Sequence, residues 1–142
     1  AAIGHVQLSR YTKIKSQKEK IIEYYRTAFE GQQELVNIVS DLDRNPSYIL
    51  ITTDQCPIED LLDHLNNQNI EARRFHYPTL PEHSFFKNYH FISNSDNKTI
   101  LNKNILSLPF YSALSKDDVR YISNIILSYL KEKCTFEKVL CK

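Results

Sequence analysis

Two guanidiniums and three ring-bearing side chains stand side by side in Arg73-Arg74-Phe75-His76-Tyr77, and the chain leaves this stretch through Pro78-Thr79-Leu80-Pro81. A guanidinium meets a carboxylate or phosphate with two parallel hydrogen bonds, and its plane also stacks on aromatic rings. Arg73, Arg74, His76 and Tyr77 are therefore the candidates to contact an anionic ligand that carries a flat ring. The first half of the stretch alternates as a strand does. The second half, with a proline at each end, can neither stay in a sheet nor start a helix freely. The same residues also read as an edge strand with solvated arginines, the usual place for charged side chains.

No complete catalytic set accompanies them. His5, His64, His76, His83 and His90 are scattered, and none forms the helix-face pair or Cys/His cluster of a metal site. Cys56, Cys134 and Cys141 are an odd count without ligand spacing, which predicts free thiols in a reducing compartment. Cys56 precedes a proline at a helix start, where a thiolate is stabilised or the side chain simply packs. Only two glycines occur, so there is no glycine-rich loop to cradle a phosphate, and a nucleophile elbow is absent. The net charge of +1 argues against a dedicated nucleic-acid binder. An RNA-binding sheet would need paired aromatics on its central strands, and Tyr48 with Phe75 gives little support. No apolar run approaches membrane-spanning length and no signal-peptide pattern opens the chain, so a cytoplasmic protein without a membrane partner is expected.

The elements that must position the arginine stretch follow from periodicity. Residues from Ile3 to Glu30 read as one helix: Ile14, Ile21, Ile22, Tyr25, Ala28 and Phe29 fall on helical spacing, and Lys13, Lys15, Lys18 and Lys20 form a solvated face. The apolar stripe thins between Thr12 and Ser16, which leaves room for a bend. Gly31 suits the C-cap. Leu35, Val36, Ile38 and Val39 suggest a short strand, Asp41 to Pro46 a turn, and Tyr48 to Thr53 a buried strand. Ile58, Leu61, Leu62 and Leu65 make one apolar helix face behind Pro57 and two acids, and Asn66 to Asn69 ends that helix. Ile70 to Tyr77 is the strand that carries the opening stretch, so strand, helix and strand form a compact crossover or split unit. Leu80 to Tyr89 is expected as a short helix with Phe85 and Phe86 inward. Ser93 to Asn97 reads as a polar loop capping another short helix through Leu101. Ile105 to Phe110 is a further strand. Ser115 with Asp118 approximates a capping box before a last helix that buries Val119, Ile122, Ile126, Tyr129 and Leu130. The sum is an α+β domain, a three- to four-stranded, mainly antiparallel sheet with helices on one side and a long N-terminal helix outside it. At 142 residues this is one domain, and the absence of any methionine suggests a piece of a longer protein.

Three motifs carry a resemblance. Ala1-Ala2-Ile3-Gly4-His5-Val6-Gln7-Leu8 resembles the A-A-x-G-x-x-Q-L helix of the DegT/DnrJ/EryC1/StrS family of pyridoxal-phosphate-dependent sugar aminotransferases. Ile70 to Pro78 resembles that family's strand ending in aromatic-Tyr-Pro. Ile105 to Ser115 resembles its closing L-x-L-P-x-x-x-x-L-[ST] segment. They stand in the family's order and at about its spacing. The resemblance implies the C-terminal small domain of a fold type I transferase: residues 1–30 the helix linking to a large domain, 31–131 the α+β core and 132–142 a tail. It further implies that pyridoxal phosphate and its Schiff-base lysine belong to the missing large domain, so that this chain is inactive alone. The full-length protein would work as a cytoplasmic homodimer. It would move an amino group, commonly from glutamate, to a dTDP-linked keto-deoxysugar for cell-surface polysaccharide or secondary-metabolite synthesis. Arg73 and Arg74 would supply charge for the diphosphate or for a dicarboxylate donor, and His76 and Tyr77 would touch the sugar or the cofactor-bound intermediate.

Two departures matter. Many relatives have Leu-His after the Tyr-Pro turn where this chain has Leu80-Pro81, and members acting on dTDP-linked sugars, which the Arg73-Arg74 pair with Pro78-Thr79-Leu80-Pro81 resembles, prefer an aromatic ring where this chain has His76. Both leave the sugar open. Two alternatives stand beside the aminotransferase: a dehydratase of the same family, and a stand-alone module whose first helix mediates dimerisation.

Overall fold

A helix that must bury one face shows it in the spacing of its apolar residues, and the first helix does so only in its second half. The computed structural model describes residues 2–44, 47–75, 77–78, 83–86, 88 and 105–140. Helix α1 spans Ala2–Phe29 without a break, including the stretch between Thr12 and Ser16 where the apolar stripe thins. Residues 2–13 are all exposed, whereas Ile21, Ile22, Tyr25 and Phe29 are buried. Gly31 adopts φ 71°, the left-handed conformation that closes a helix end at little cost.

Strands β1 (Asn37–Ile38), β2 (Ile49–Thr52), β3 (Arg73–Arg74) and β4 (Ile105–Leu108) form one antiparallel sheet in the order β1-β2-β4-β3. Helix α2 (Ile58–Asn67) connects β2 to β3, and β4 inserts between those two strands, so the crossover is of the split kind. The register opposes Ile49 with Leu108 and Ile51 with Leu106. Opposed residues share a face, so these four make the buried side. They join Ile58, Leu61 and Leu65 of α2 and Val119, Ile122, Ile126 and Leu130 of α3 (Lys116–Leu140) in one core. The expected α+β layering is what the molecule shows. The predicted strands are longer than the observed ones, most of all Ile70 to Tyr77, where only Arg73 and Arg74 pair as β3.

Helix ends follow local chemistry closely. Ser115 Oγ accepts the Asp118 N–H at 3.1 Å, and Asp118 Oδ2 accepts the Ser115 N–H at 3.0 Å, a reciprocal cap at the start of α3. At the end of α2, Asn69 sits at φ 58°. The Ile70 N–H reaches back to the Leu65 carbonyl and the Asn69 N–H to the Asn66 carbonyl, both at 2.9 Å. This is a Schellman ending, sealed by the buried side chains of Leu65 and Ile70. It turns the chain straight into β3. Helix α3 runs on through the expected tail as far as Leu140, and Tyr129 is half-buried rather than buried, its ring stacked on His64.

One expectation is corrected. Ser84–Phe86 is a single 3-10 turn, and Phe85 is 70% exposed. Neighbouring side chains of such a turn point about 120° apart, so Phe85 and Phe86 cannot both face inward. They meet edge to face instead, with centroids 5.0 Å apart. The remainder of the helix expected over 80–89, apart from His83 and Asn88, and the loop and helix expected through Leu101 lie outside the described residues.

Candidate functional site

Strand alternation decides what the two arginines can do. Arg73 opposes Ser107 and Arg74 opposes Leu106 across β4. Leu106 is fully buried on the helix-covered face, so Arg74 points towards α2 and Arg73 points the other way. The pair therefore does not close on a single anion.

Arg74 has a side chain only 14% exposed, and its Nη1 lies 2.6 Å from Oε1 of Glu59 in the first turn of α2. The flat face of the same guanidinium lies under the ring of Tyr77, 3.4 Å from the centroid. The carboxylate meets one terminal nitrogen while the ring lies over the central carbon, so one guanidinium serves both partners. Tyr77 itself remains 54% exposed. Its peptide bond to Pro78 is cis. Arg73 is 77% exposed and forms an ion pair with Glu71, itself well exposed. Such a surface pair contributes little and exchanges readily for another anion. His76 lies outside the described residues. Of the four predicted residues, then, Arg74 and Tyr77 are in contact and Arg73 stands on the opposite face.

A groove of about 590 Å³ opens where β3 begins and β4 ends, and Arg73 borders it together with Tyr48, Ser107, Tyr111, Asp118 and Tyr121. Hydrogen bonds from the Ser115 hydroxyl, then from its backbone N–H, hold the Asp118 carboxyl below the usual carboxylate range. Behind the groove, the buried Tyr25 hydroxyl donates to the Pro109 carbonyl at 3.0 Å. Burial, reinforced by the nearby Tyr111 and Asp118, raises the Tyr25 pKa far above that of a free phenol. Tyr25 is a strut, not an acid.

A second cluster lies between α2 and α3. His64 and Tyr129 stack with centroids 4.3 Å apart. Lys133 is held above the usual lysine range by its hydrogen bond to the Tyr129 hydroxyl and by the charge of that residue, then by Asp60 and Cys56. Cys56 packs against the core. No group of three or more metal-ligating side chains is found among the described residues. Among the described residues no lysine borders the groove beside Arg73, so those residues do not make up a site for pyridoxal phosphate. Among the described residues, no helix is long and apolar enough to cross a membrane.

Glu59 is the participant that sequence reasoning missed. A signal was there: strand alternation alone sends one of two adjacent arginines towards the crossover helix, whose first turn is acidic.

The sequence profile of the DegT/DnrJ/EryC1/StrS aminotransferase family matches residues 1–127. The chain belongs to the DegT/DnrJ/EryC1/StrS family. Two curated relatives are similar to it. A dTDP-4-amino-4,6-dideoxy-D-glucose transaminase of Shigella dysenteriae is 34% identical over 68 residues, covering 48% of this chain and 18% of its own. A GDP-perosamine synthase of Vibrio cholerae is 35% identical over 137 residues, covering 91% of this chain and 36% of its own. Among solved structures, the E. coli GDP-4-keto-6-deoxy-D-mannose-3-dehydratase with bound hydrated pyridoxal phosphate shares the fold at TM-score 0.71 and 20% identity, covering 88% of this chain and 34% of its own. This DegT/DnrJ/EryC1/StrS chain thus spans about a third or less of the relatives it matches.

Proposed function

We propose that this chain is the C-terminal small domain of a pyridoxal-phosphate-dependent nucleotide-sugar aminotransferase. Residues 1–30 would form the helix leading from a large domain, 31–131 the α+β core and 132–142 a tail. The observation that carries the reading is the match along nearly the whole chain to a sugar aminotransferase family, of whose relatives this chain makes up only a part. The large domain would bind the cofactor and supply the Schiff-base lysine. The cofactor's role would be to carry an amino group, supplied by glutamate as the family's common donor, to the keto carbon of the sugar.

In this reading Tyr77, exposed at the exit of β3, and His76 beside it form part of the wall on the sugar side. Arg73 is the arginine left to meet the diphosphate or a dicarboxylate donor, because Arg74 already holds Glu59. The substrate is a keto-deoxysugar linked to dTDP; one similar relative carries a GDP-linked name, so GDP is the competing nucleotide. The full-length protein is a cytoplasmic homodimer serving cell-surface polysaccharide or secondary-metabolite synthesis.

The test uses the full-length protein with pyridoxal phosphate supplied. Cofactor absorbance that changes on adding glutamate is expected, followed by amination of a dTDP- or GDP-linked 4-keto-6-deoxyhexose. Loss of both signals would overturn the reading. A second reading has one observation in its favour: Ile3 and Leu8 are 81% and 74% exposed on α1, apolar surface available for pairing two copies of a stand-alone module. The reading frame upstream of Ala1 separates the two.

A further inference from the structure

We infer that Glu59 is a positioning residue for the nucleotide-sugar site, acting through Arg74 to fix the ring of Tyr77. The inference rests on the proposed aminotransferase reading and on three features of the fold.

First, the register of β3 against β4 sends Arg74 towards the helices, where it is largely removed from water. A guanidinium in that position needs a partner for its charge and its N–H groups. Glu59 supplies one from the first turn of α2, where a carboxylate is favoured by the helix dipole. Second, Glu59 meets one terminal nitrogen of the guanidinium while the Tyr77 ring lies over its central carbon. Holding that nitrogen by Glu59 thus restrains the guanidinium on which the ring rests. Third, the last ladder hydrogen bond among the described residues runs from the Phe75 N–H to the Ile105 carbonyl at 3.1 Å. Tyr77 lies beyond it, so among the described residues it is the stack on Arg74 that orients its ring. One face of the ring is taken by Arg74, and the residue is still half exposed. That exposed surface is what a sugar would meet. A lysine at position 74 could keep the charge but not the plane.

The division of labour follows: Glu59 and Arg74 orient, Tyr77 contacts, and Arg73 on the other face is outside this chain of contacts. Glu59 is not a catalytic residue, because it touches neither substrate nor reacting atoms.

The test uses the full-length protein and separates the two half-reactions. Glutamate-driven conversion of the cofactor is followed by absorbance. KM and kcat are then measured with dTDP-4-keto-6-deoxyglucose and with its GDP-mannose counterpart as probes. Glu59→Ala is expected to raise the sugar KM by roughly 3- to 30-fold, the size of a lost stacked cation, with the glutamate half-reaction within about twofold of wild type. Glu59→Gln, isosteric and half exposed, should fall between the two and guards against a folding defect. Glu59→Ala added to Tyr77→Ala should cost nothing further, since both act through one ring. An active wild type in which Glu59→Ala leaves the sugar KM unchanged, or in which the two substitutions add, overturns the inference alone. A wild type inert to glutamate overturns the aminotransferase reading and this inference with it.

Discussion

Asp118 shows how much a single side chain settles locally. Its carboxylate accepts hydrogen bonds from both the hydroxyl and the backbone N–H of Ser115 while its own N–H returns one to the hydroxyl. Those bonds favour the charged form, so the folded pKa lies below the unfolded one. The sign follows directly. The unfolded chain binds the proton more readily, so the contribution is complete above the ordinary carboxylate value of about 4 and fades as the pH falls through the depressed folded value. Thermal melts of wild type and Asp118→Asn should therefore differ at neutral pH and converge in acid. A constant difference across the acid range would show that the cap does not titrate. Arg74, with Glu59 on one nitrogen and Tyr77 over its central carbon, is likewise committed before any substrate arrives.

At the scale of elements, the turn from α2 into β3 aims the arginine strand. Asn69 closes α2 at positive φ, and the next residue is tied back to Leu65. Asn69→Ala should destabilise the domain by about 1 kcal/mol, since a Cβ is strained in the left-handed region without the help of a local side-chain hydrogen bond. Asn69→Gly should be close to neutral. Chemical denaturation of the two variants checks the pair, and equal losses would place the effect in the asparagine side chain. This ending was legible as a helix stop in Asn66 to Asn69, and the capping box of α3 was legible in Ser115 and Asp118. Both are decided within a few residues. The lengths of the strands were not, because Ile70 to Tyr77 alternates on both sides of the arginine pair and only its partner β4 determines which residues pair. Nor was Glu59, whose contact with Arg74 spans a helix and a strand. The Phe85-Phe86 pair was misjudged because apolar type alone does not say that a short turn offers only one inward position.

On the scale of the molecule, α1 divides into a half that belongs to this core and a half that does not. Ile3, Val6, Leu8 and Tyr11 are all exposed, while Lys18 lies over the Phe110 ring at 4.7 Å and the buried positions begin at Ile21. Hydrogen exchange on the 142-residue chain should therefore show fast exchange over 2–13 and protection from Ile21 onward. In the full-length protein the same first turns should become protected. Exchange that stays fast there would contradict a large domain or subunit seated on α1. The sheet order has its own consequence. β3 is a terminal strand, two residues long, and both residues are arginine. A strand at a sheet margin can template the addition of another chain, and brevity and charge are what prevent it. Arg73 and Arg74 therefore also act as guards of solubility: hydrophobic replacement at Arg73 would turn the margin of this sheet into a point where copies of the protein adhere.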